Sequence, residues 1–101
     1  MKRAILSDIH GNLEALEAVL ADIADQHVSE IICLGDIVGY GADPNPCVQW
    51  VREKADFTIA GNHDWAAIEK TDIACFNSYA YESCLWTREK LTEENKNFIN
   101  L

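Results

Sequence analysis

An α/β fold is expected for this chain on three observations. Three short apolar runs, Ala4-Ile5-Leu6, Ile31-Ile32-Cys33-Leu34 and Phe57-Thr58-Ile59-Ala60, have the length of buried strands. Apolar residues recur at helical spacing between them. After the third run only helical patterns follow, with no fourth strand. Strand–helix–strand–helix–strand order predicts a parallel sheet with right-handed crossovers. The result is a βαβαβ core followed by C-terminal helices. Parallel sheets are ordinarily covered on both faces, so a three-stranded one is an incomplete layer.

The first strand runs into Ser7-Asp8-Ile9-His10-Gly11-Asn12. Leu13, Leu16, Val19, Leu20 and Ile23 then mark one face of an amphipathic helix of about four turns. His27 reads as a surface residue at its end. The second strand runs into Gly35-Asp36 and a loop rich in Gly, Asp and Pro that extends to Pro46. Asn45-Pro46 has the form of a helix start, with Asn as N-cap and Pro at the first helical position. That helix carries Val48, Trp50 and Val51 and ends near Lys54. The third strand runs into Gly61-Asn62-His63-Asp64. A short helix is expected over 65–70 and a longer one over 76–90. Thr92, followed by Glu93 and Glu94, caps a last one. No repeat, linker or low-complexity segment interrupts the pattern, so residues 1–101 read as a single domain.

Bulk properties exclude several classes. The chain has 101 residues, 49% of them hydrophobic, and a net charge of −9. That balance argues against a broad nucleic-acid footprint, which needs Lys and Arg against the phosphates. No apolar run is long enough for a membrane helix. The three apolar residues before Ser7 are too few for a signal-peptide core, and a cytoplasmic location is expected. Cys33, Cys47, Cys75 and Cys84 show no C-x-x-C spacing, so a structural zinc site is not expected. They read as reduced, mostly buried thiols. Cys47, beside the polar loops, is the best candidate for a cysteine nucleophile.

Chemistry concentrates at the C-terminal ends of the three strands, the edge where open α/β sheets bind ligands. Asp8-x-His10, Gly35-Asp36 and Gly61-Asn62-His63-Asp64 supply carboxylate, imidazole and amide groups suited to Mn, Fe, Zn, Ni or Mg. Each alone has a plainer reading: Asp8 and Asp36 as turn or cap residues, His10 as a hydrogen-bonded loop residue, Asn62 and Asp64 as turn formers. Three clusters at three successive strand ends favour a shared metal site. Residues two apart on a strand point to one side, so Asp8 and His10 are expected to grip one ion together. Asp36 is placed to bridge it to a second, which Asn62 also reaches. His63 is left to donate a proton or hold a phosphate, and Asp64 to orient that histidine. A bound cation would reverse the local sign for an anionic substrate.

In order and context, Asp8-x-His10, Gly35-Asp36-x-x-Gly39 and Gly61-Asn62-His63-Asp64 resemble the first three motifs of the calcineurin-like metallophosphoesterases. The fuller strings Ser7-Asp8-Ile9-His10-Gly11-Asn12 and Gly35-Asp36-Ile37-Val38-Gly39-Tyr40-Gly41-Ala42-Asp43-Pro44 resemble the small prokaryotic phosphodiesterase branch. The resemblance covers nearly the whole chain. It implies a β-sandwich flanked by helices, of which this chain is the N-terminal half. It implies two divalent metal ions: Asp8 and His10 on the first, Asp36 bridging, Asn62 on the second, His63 at the phosphate or leaving group. It also implies hydrolysis of a phosphate ester, a diester in the first instance, by a metal-bridging hydroxide, the substrate being a small molecule or nucleotide. The family carries a Gly-His-x-His motif and a further histidine downstream. No histidine follows His63, so the chain is expected to be the N-terminal part of a longer protein. The alternative is a non-catalytic metal-binding or interaction module. A receiver-like domain phosphorylated on Asp explains neither His10 nor His63. Tyr40 has two readings, a pocket-lining residue and a packed loop aromatic. Trp50, Trp65 and Trp86 are expected in core or buried faces rather than as base-stacking platforms.

Overall fold

The computed structural model describes residues 1–100. Strands β1 (Arg3–Leu6), β2 (Glu30–Cys33) and β3 (Phe57–Thr58) form one parallel sheet in the order β1-β2-β3. Helix α1 (Leu13–Gln26) joins the first pair of strands and α2 (Pro44–Lys54) the second. Three further helices follow, α3 (Asn62–Ala67), α4 (Ser78–Lys90) and α5 (Glu93–Ile99). The α/β architecture agrees with the sequence-based expectation. No helix among the described residues is long and apolar enough to cross a membrane.

The strand order explains which sheet face is covered. Two right-handed crossovers stepping the same way across a sheet leave both helices on one face. Helices α1 and α2 pack against each other, and Leu16 joins Val48, Val51 and Cys33 in the core. Ile5, Ile32 and Phe57 stand in register across the sheet. Ile5 and Phe57 are each 62% exposed. The opposite face is thus apolar and open, as the incomplete layer predicts. Residues of the β2–α2 loop also enter the core: Ile37 and Val38 are buried with Cys47 and Val48.

Several boundaries differ from expectation. Helix α2 starts at Pro44, not Pro46, with Asp43 in the N-cap position. Pro44 also lacks an N–H that a first turn leaves unpaired, so it serves as well as Pro46. Asn45 is therefore inside the helix. Its side-chain amide donates to Lys90 O (2.8 Å) and its oxygen accepts from Thr92 N (3.0 Å), which ties α2 to the α4–α5 junction. Strand β3 is only two residues long, although Ile59 N still donates to Cys33 O (3.1 Å). Helix α3 begins at Asn62 rather than Trp65, because the Asp64 carboxylate accepts from Gly61 N (3.0 Å) and closes the first turn. Helix α4 begins at Ser78, capped by Asn77, whose side chain accepts from Ala80 N (2.9 Å). Thr92 caps α5 as expected, accepting from Asn95 N (3.2 Å).

The open face and the core make opposite predictions. Val48→Ala removes buried apolar atoms and is expected to lower the unfolding free energy by about 2 kcal/mol. Phe57→Thr is expected to change it by less than about 0.5 kcal/mol. Urea unfolding of the two variants checks this; equal losses would show that the outer sheet face is packed.

Candidate metal centre

Three loops leave the same edge of the sheet and are laced together by their backbones. Asp8 N donates to Gly35 O (3.1 Å), His10 N to Asp36 O (2.9 Å) and Gly11 N to Ile37 O (2.7 Å). Gly41 N returns to His10 O (2.8 Å). The chain turns sharply to make these contacts: Asp8, His10 and Asp36 have φ of 58°, 51° and 55°. Left-handed backbone is uncommon for residues with a side chain, and Asp tolerates it better than most. Gly39, also left-handed, leaves space for a neighbour, since a Cβ there would lie 2.7 Å from His63 Nδ1.

The sequence-based geometry needs one correction here. Asp8 and His10 do not alternate on a strand, because β1 ends at Leu6. They converge because both sit in left-handed turns of the following loop. Asp8, His10 and Asp36 nonetheless come together, each offering a ligand atom within 4.8 Å of the others. His10 Nδ1 lies 2.9 Å from Val38 O. A carbonyl accepts only, so Nδ1 carries a proton, and in the neutral ring the lone pair is then on Nε2. That lone pair faces the cluster, with Nε2 3.3 Å from Asp8 Oδ1. The Ser7 hydroxyl donates to Asp8 Oδ2 (2.6 Å) and is the main reason the Asp8 carboxyl lies below the usual carboxylate range. Two carboxylates and an imidazole nitrogen form a donor set that fits a divalent cation.

The third motif lies on the first turn of α3. Asp36 Oδ1 accepts from His63 N (3.0 Å), so the carboxylate sits where the helix dipole is positive. Gly61 is pressed against it: a Cβ at that position would fall 2.3 Å from Asp36 Oδ1. Asn62 follows, exposed on the first helical position. His63 stands in an aromatic setting, with ring centroids 4.8 Å from His10, 5.1 Å from Tyr40 and 5.1 Å from Phe76. Its Nδ1 is buried without a hydrogen-bond partner. Burial first, and then the neighbouring His10, lower the His63 pKa.

Asp64 is placed differently from the role expected of it. Its carboxylate is fully buried and does not meet the His63 ring nitrogens with a hydrogen bond. It accepts instead from Ile37 N (2.9 Å), Val38 N (3.1 Å) and Gly61 N (3.0 Å). Burial pushes the carboxyl up from its ordinary range, while these N–H groups pull it down. Cys47 does not fit a nucleophile: it is buried, and burial pushes its thiol up to about 11. Two participants carried little sequence signal. Ser7 adjoins the first motif, but the Val38 carbonyl that holds His10 is a backbone group that no residue type announces.

Comparisons with known proteins agree with this fold. The family model for calcineurin-like phosphoesterases matches residues 1–101. An uncharacterized protein of Methanocaldococcus jannaschii is 46% identical over 97 residues, which are 96% of this chain and 40% of that protein. The crystal structure of a metallophosphoesterase from Sphaerobacter thermophilus superposes with a TM-score of 0.82 at 44% identity, over 99% of this chain and 40% of that one. A candidate diadenosine tetraphosphatase shares the fold at 20% identity and a TM-score of 0.74, over 97% of this chain and 41% of that one. The chain thus spans about 40% of the length of the relatives it matches.

Two predictions come from the buried groups. Asp64→Asn replaces a two-oxygen acceptor with a single oxygen and an NH2, leaving at least one backbone N–H unpaired. It is expected to cost about 1–3 kcal/mol in urea unfolding; an unchanged midpoint would show that the clamp is not needed. Iodoacetamide at pH 8 is expected to label exposed Cys75 in the native chain, and Cys33, Cys47 and Cys84 only after unfolding. Peptide mass mapping reads the difference, and native labelling of Cys47 would contradict its burial.

Proposed function

The chain belongs to the calcineurin-like phosphoesterase family, and from that premise we propose that it carries metal ligands of a centre that hydrolyses a phosphate ester, specifically a phosphodiester. The observation that supports this reading best is the convergence of Asp8, His10 and Asp36, with His10 Nδ1 engaged by Val38 and Nε2 free to ligate. Asp8, His10 and Asp36 would hold one divalent ion. Asp36 and Asn62, at the start of α3, would serve a second. Such ions, drawn from Mn, Ni, Fe, Zn or Mg, offset the phosphate charge and lower the pKa of bound water.

The chain's own groups have separate tasks. Asp8 stays ionised with the help of Ser7. His10 keeps its ligating tautomer through Val38. His63 is neutral at neutral pH, in keeping with its lowered pKa. Placing its proton on Nε2 avoids burying an unpaired N–H at Nδ1 and presents a donor to a phosphate oxygen. Asp64 is a positioning residue, acting through the backbone of Ile37, Val38 and Gly61 rather than on reacting atoms. The substrate is a small phosphate ester or nucleotide.

Hydrolysis of bis-p-nitrophenyl phosphate with added Mn²⁺ tests the reading, beside the Asp36→Asn variant. Metal is expected to raise the melting temperature of the wild-type chain more than that of the variant. Turnover is expected to fall about 100-fold or more in the variant. Stabilisation without turnover would favour a non-catalytic metal-binding module. No response to any divalent ion would sink the proposal.

A further inference from the structure

A groove opens beside the metal ligands, between two exposed aromatic side chains. It has a volume of about 220 Å³ and is lined by Tyr40, Trp86, Gly41, Ala42 and Ser83. A larger cavity of about 510 Å³ contains Asp8 and His10. Tyr40, Gly41 and Ala42 line both spaces, so the two adjoin along this segment.

Both aromatic residues are held in place while remaining open to solvent. Tyr40 has left-handed backbone, with φ of 66°, and its N–H donates to Ser83 Oγ (3.1 Å). The Ser83 hydroxyl is spent on Ala80 O (3.1 Å), which fixes its direction as an acceptor for Tyr40. The Tyr40 ring meets His10 edge-on at 5.2 Å and His63 at 5.1 Å, yet the residue is 49% exposed. Trp86, expected in a buried face, is 39% exposed instead, and Lys90 Nζ stands 6.0 Å over its ring. Helix α4 thus presents an indole to solvent at the rim of this groove. The lining between the aromatic residues is small, Gly41 and Ala42, which leaves room for something flat.

We infer that this groove takes a flat aromatic ring carried by the phosphate ester, a nucleobase in the first instance, while the phosphate lies at the Asp8–His10–Asp36 cluster. The inference rests on the metal-centre reading above and adds the class of the organic group. The groove's volume is below the roughly 300–1,000 Å³ of pockets that enclose a whole drug-sized ligand, so it suits one ring system. Stacking is tolerant of ring identity, because every base has a π-face. Neither Tyr40 nor Trp86 offers base-specific hydrogen bonds from its face. The groove therefore selects aromatic over aliphatic esters and discriminates little among bases.

The test is calorimetric titration of the Mn²⁺-supplemented chain with adenosine 5′-monophosphate, phenyl phosphate and inorganic phosphate. Adenosine 5′-monophosphate is expected to bind about tenfold more tightly than inorganic phosphate. Trp86→Ala is expected to lose that advantage, and Trp86→Phe to keep most of it, which separates stacking from a folding defect. An advantage confined to phenyl phosphate would overturn the nucleobase and leave an aryl ester in its place. Equal affinities for all three ligands would overturn the groove while leaving the metal centre standing. Failure of inorganic phosphate itself to bind would remove the metal-centre reading and this inference together.

Discussion

The buried carboxylate of Asp64 is the constraint on which the rest of the site depends. Taking a carboxylate out of water is unfavourable unless it is fully hydrogen-bonded. Asp64 meets that demand with three backbone N–H groups, from Ile37, Val38 and Gly61. Those donors belong to two different loops, so one side chain fixes their relative position. Each loop then passes the constraint on. The Val38 carbonyl orients His10, and the turn begun at Gly61 brings His63 N to Asp36. Ile37 and Val38 anchor the same segment from the other side by filling the core. Polar and apolar forces thus act on the same few residues, and both hold the loop carrying Asp36 in place.

That rigidity explains how the unusual backbone is tolerated. Asp8, His10, Asp36 and Tyr40 all have positive φ, a conformation that costs of order 1–3 kcal/mol per residue where it is strained. Such residues persist only where surrounding structure over-determines them. Here the bonds Asp8 N to Gly35 O, His10 N to Asp36 O and Gly41 N to His10 O do so. The gain is convergence. Extended backbone would send neighbouring side chains to opposite faces, whereas successive left-handed turns let Asp8 and His10 face Asp36 across a short gap. The stability of the folded loops is thereby linked to the geometry of the ligand set.

Much of this was legible in the residues, and the part that was not has definite physical reasons. Apolar run lengths and helical spacing located three strands and the helices between them. The clusters after Leu6, Cys33 and Thr58 were correctly placed at one sheet edge, because parallel strands must all point their C-termini the same way. Three things were hidden. Asn62, His63 and Asp64 look like a turn, but an N3 carboxylate reaching back to Gly61 N makes them the first turn of a helix. Asp64 looks like a partner for His63 because the two are adjacent; adjacent helical residues point apart, and Asp64 goes inward. Trp86 looks like core by composition, yet α4 has no single apolar face and its tryptophan lies at the rim of a groove. Each miss concerns side-chain direction, which depends on neighbours distant in sequence.

The acidity of the chain finally bears on what the site can bind. A net charge of −9 repels a phosphate ester at long range, and Asp8 and Asp36 add two like charges at the point of contact. Neither Lys nor Arg lines the cavity around Asp8 and His10; Glu14 and Asp43 do. No cationic side chain of that cavity would meet a phosphate ester. One divalent ion at the Asp8–His10–Asp36 cluster would neutralise its two carboxylates, and only a further ion would leave the centre positive. The acidic surroundings that make phosphate unwelcome in the bare protein are the same ones that favour cations, so the proposed recognition of an anionic ester would be conditional on metal. An aromatic ring in the proposed Tyr40–Trp86 groove would add stacking that is indifferent to the net charge of the chain, while the ester that carries it would still depend on the metal.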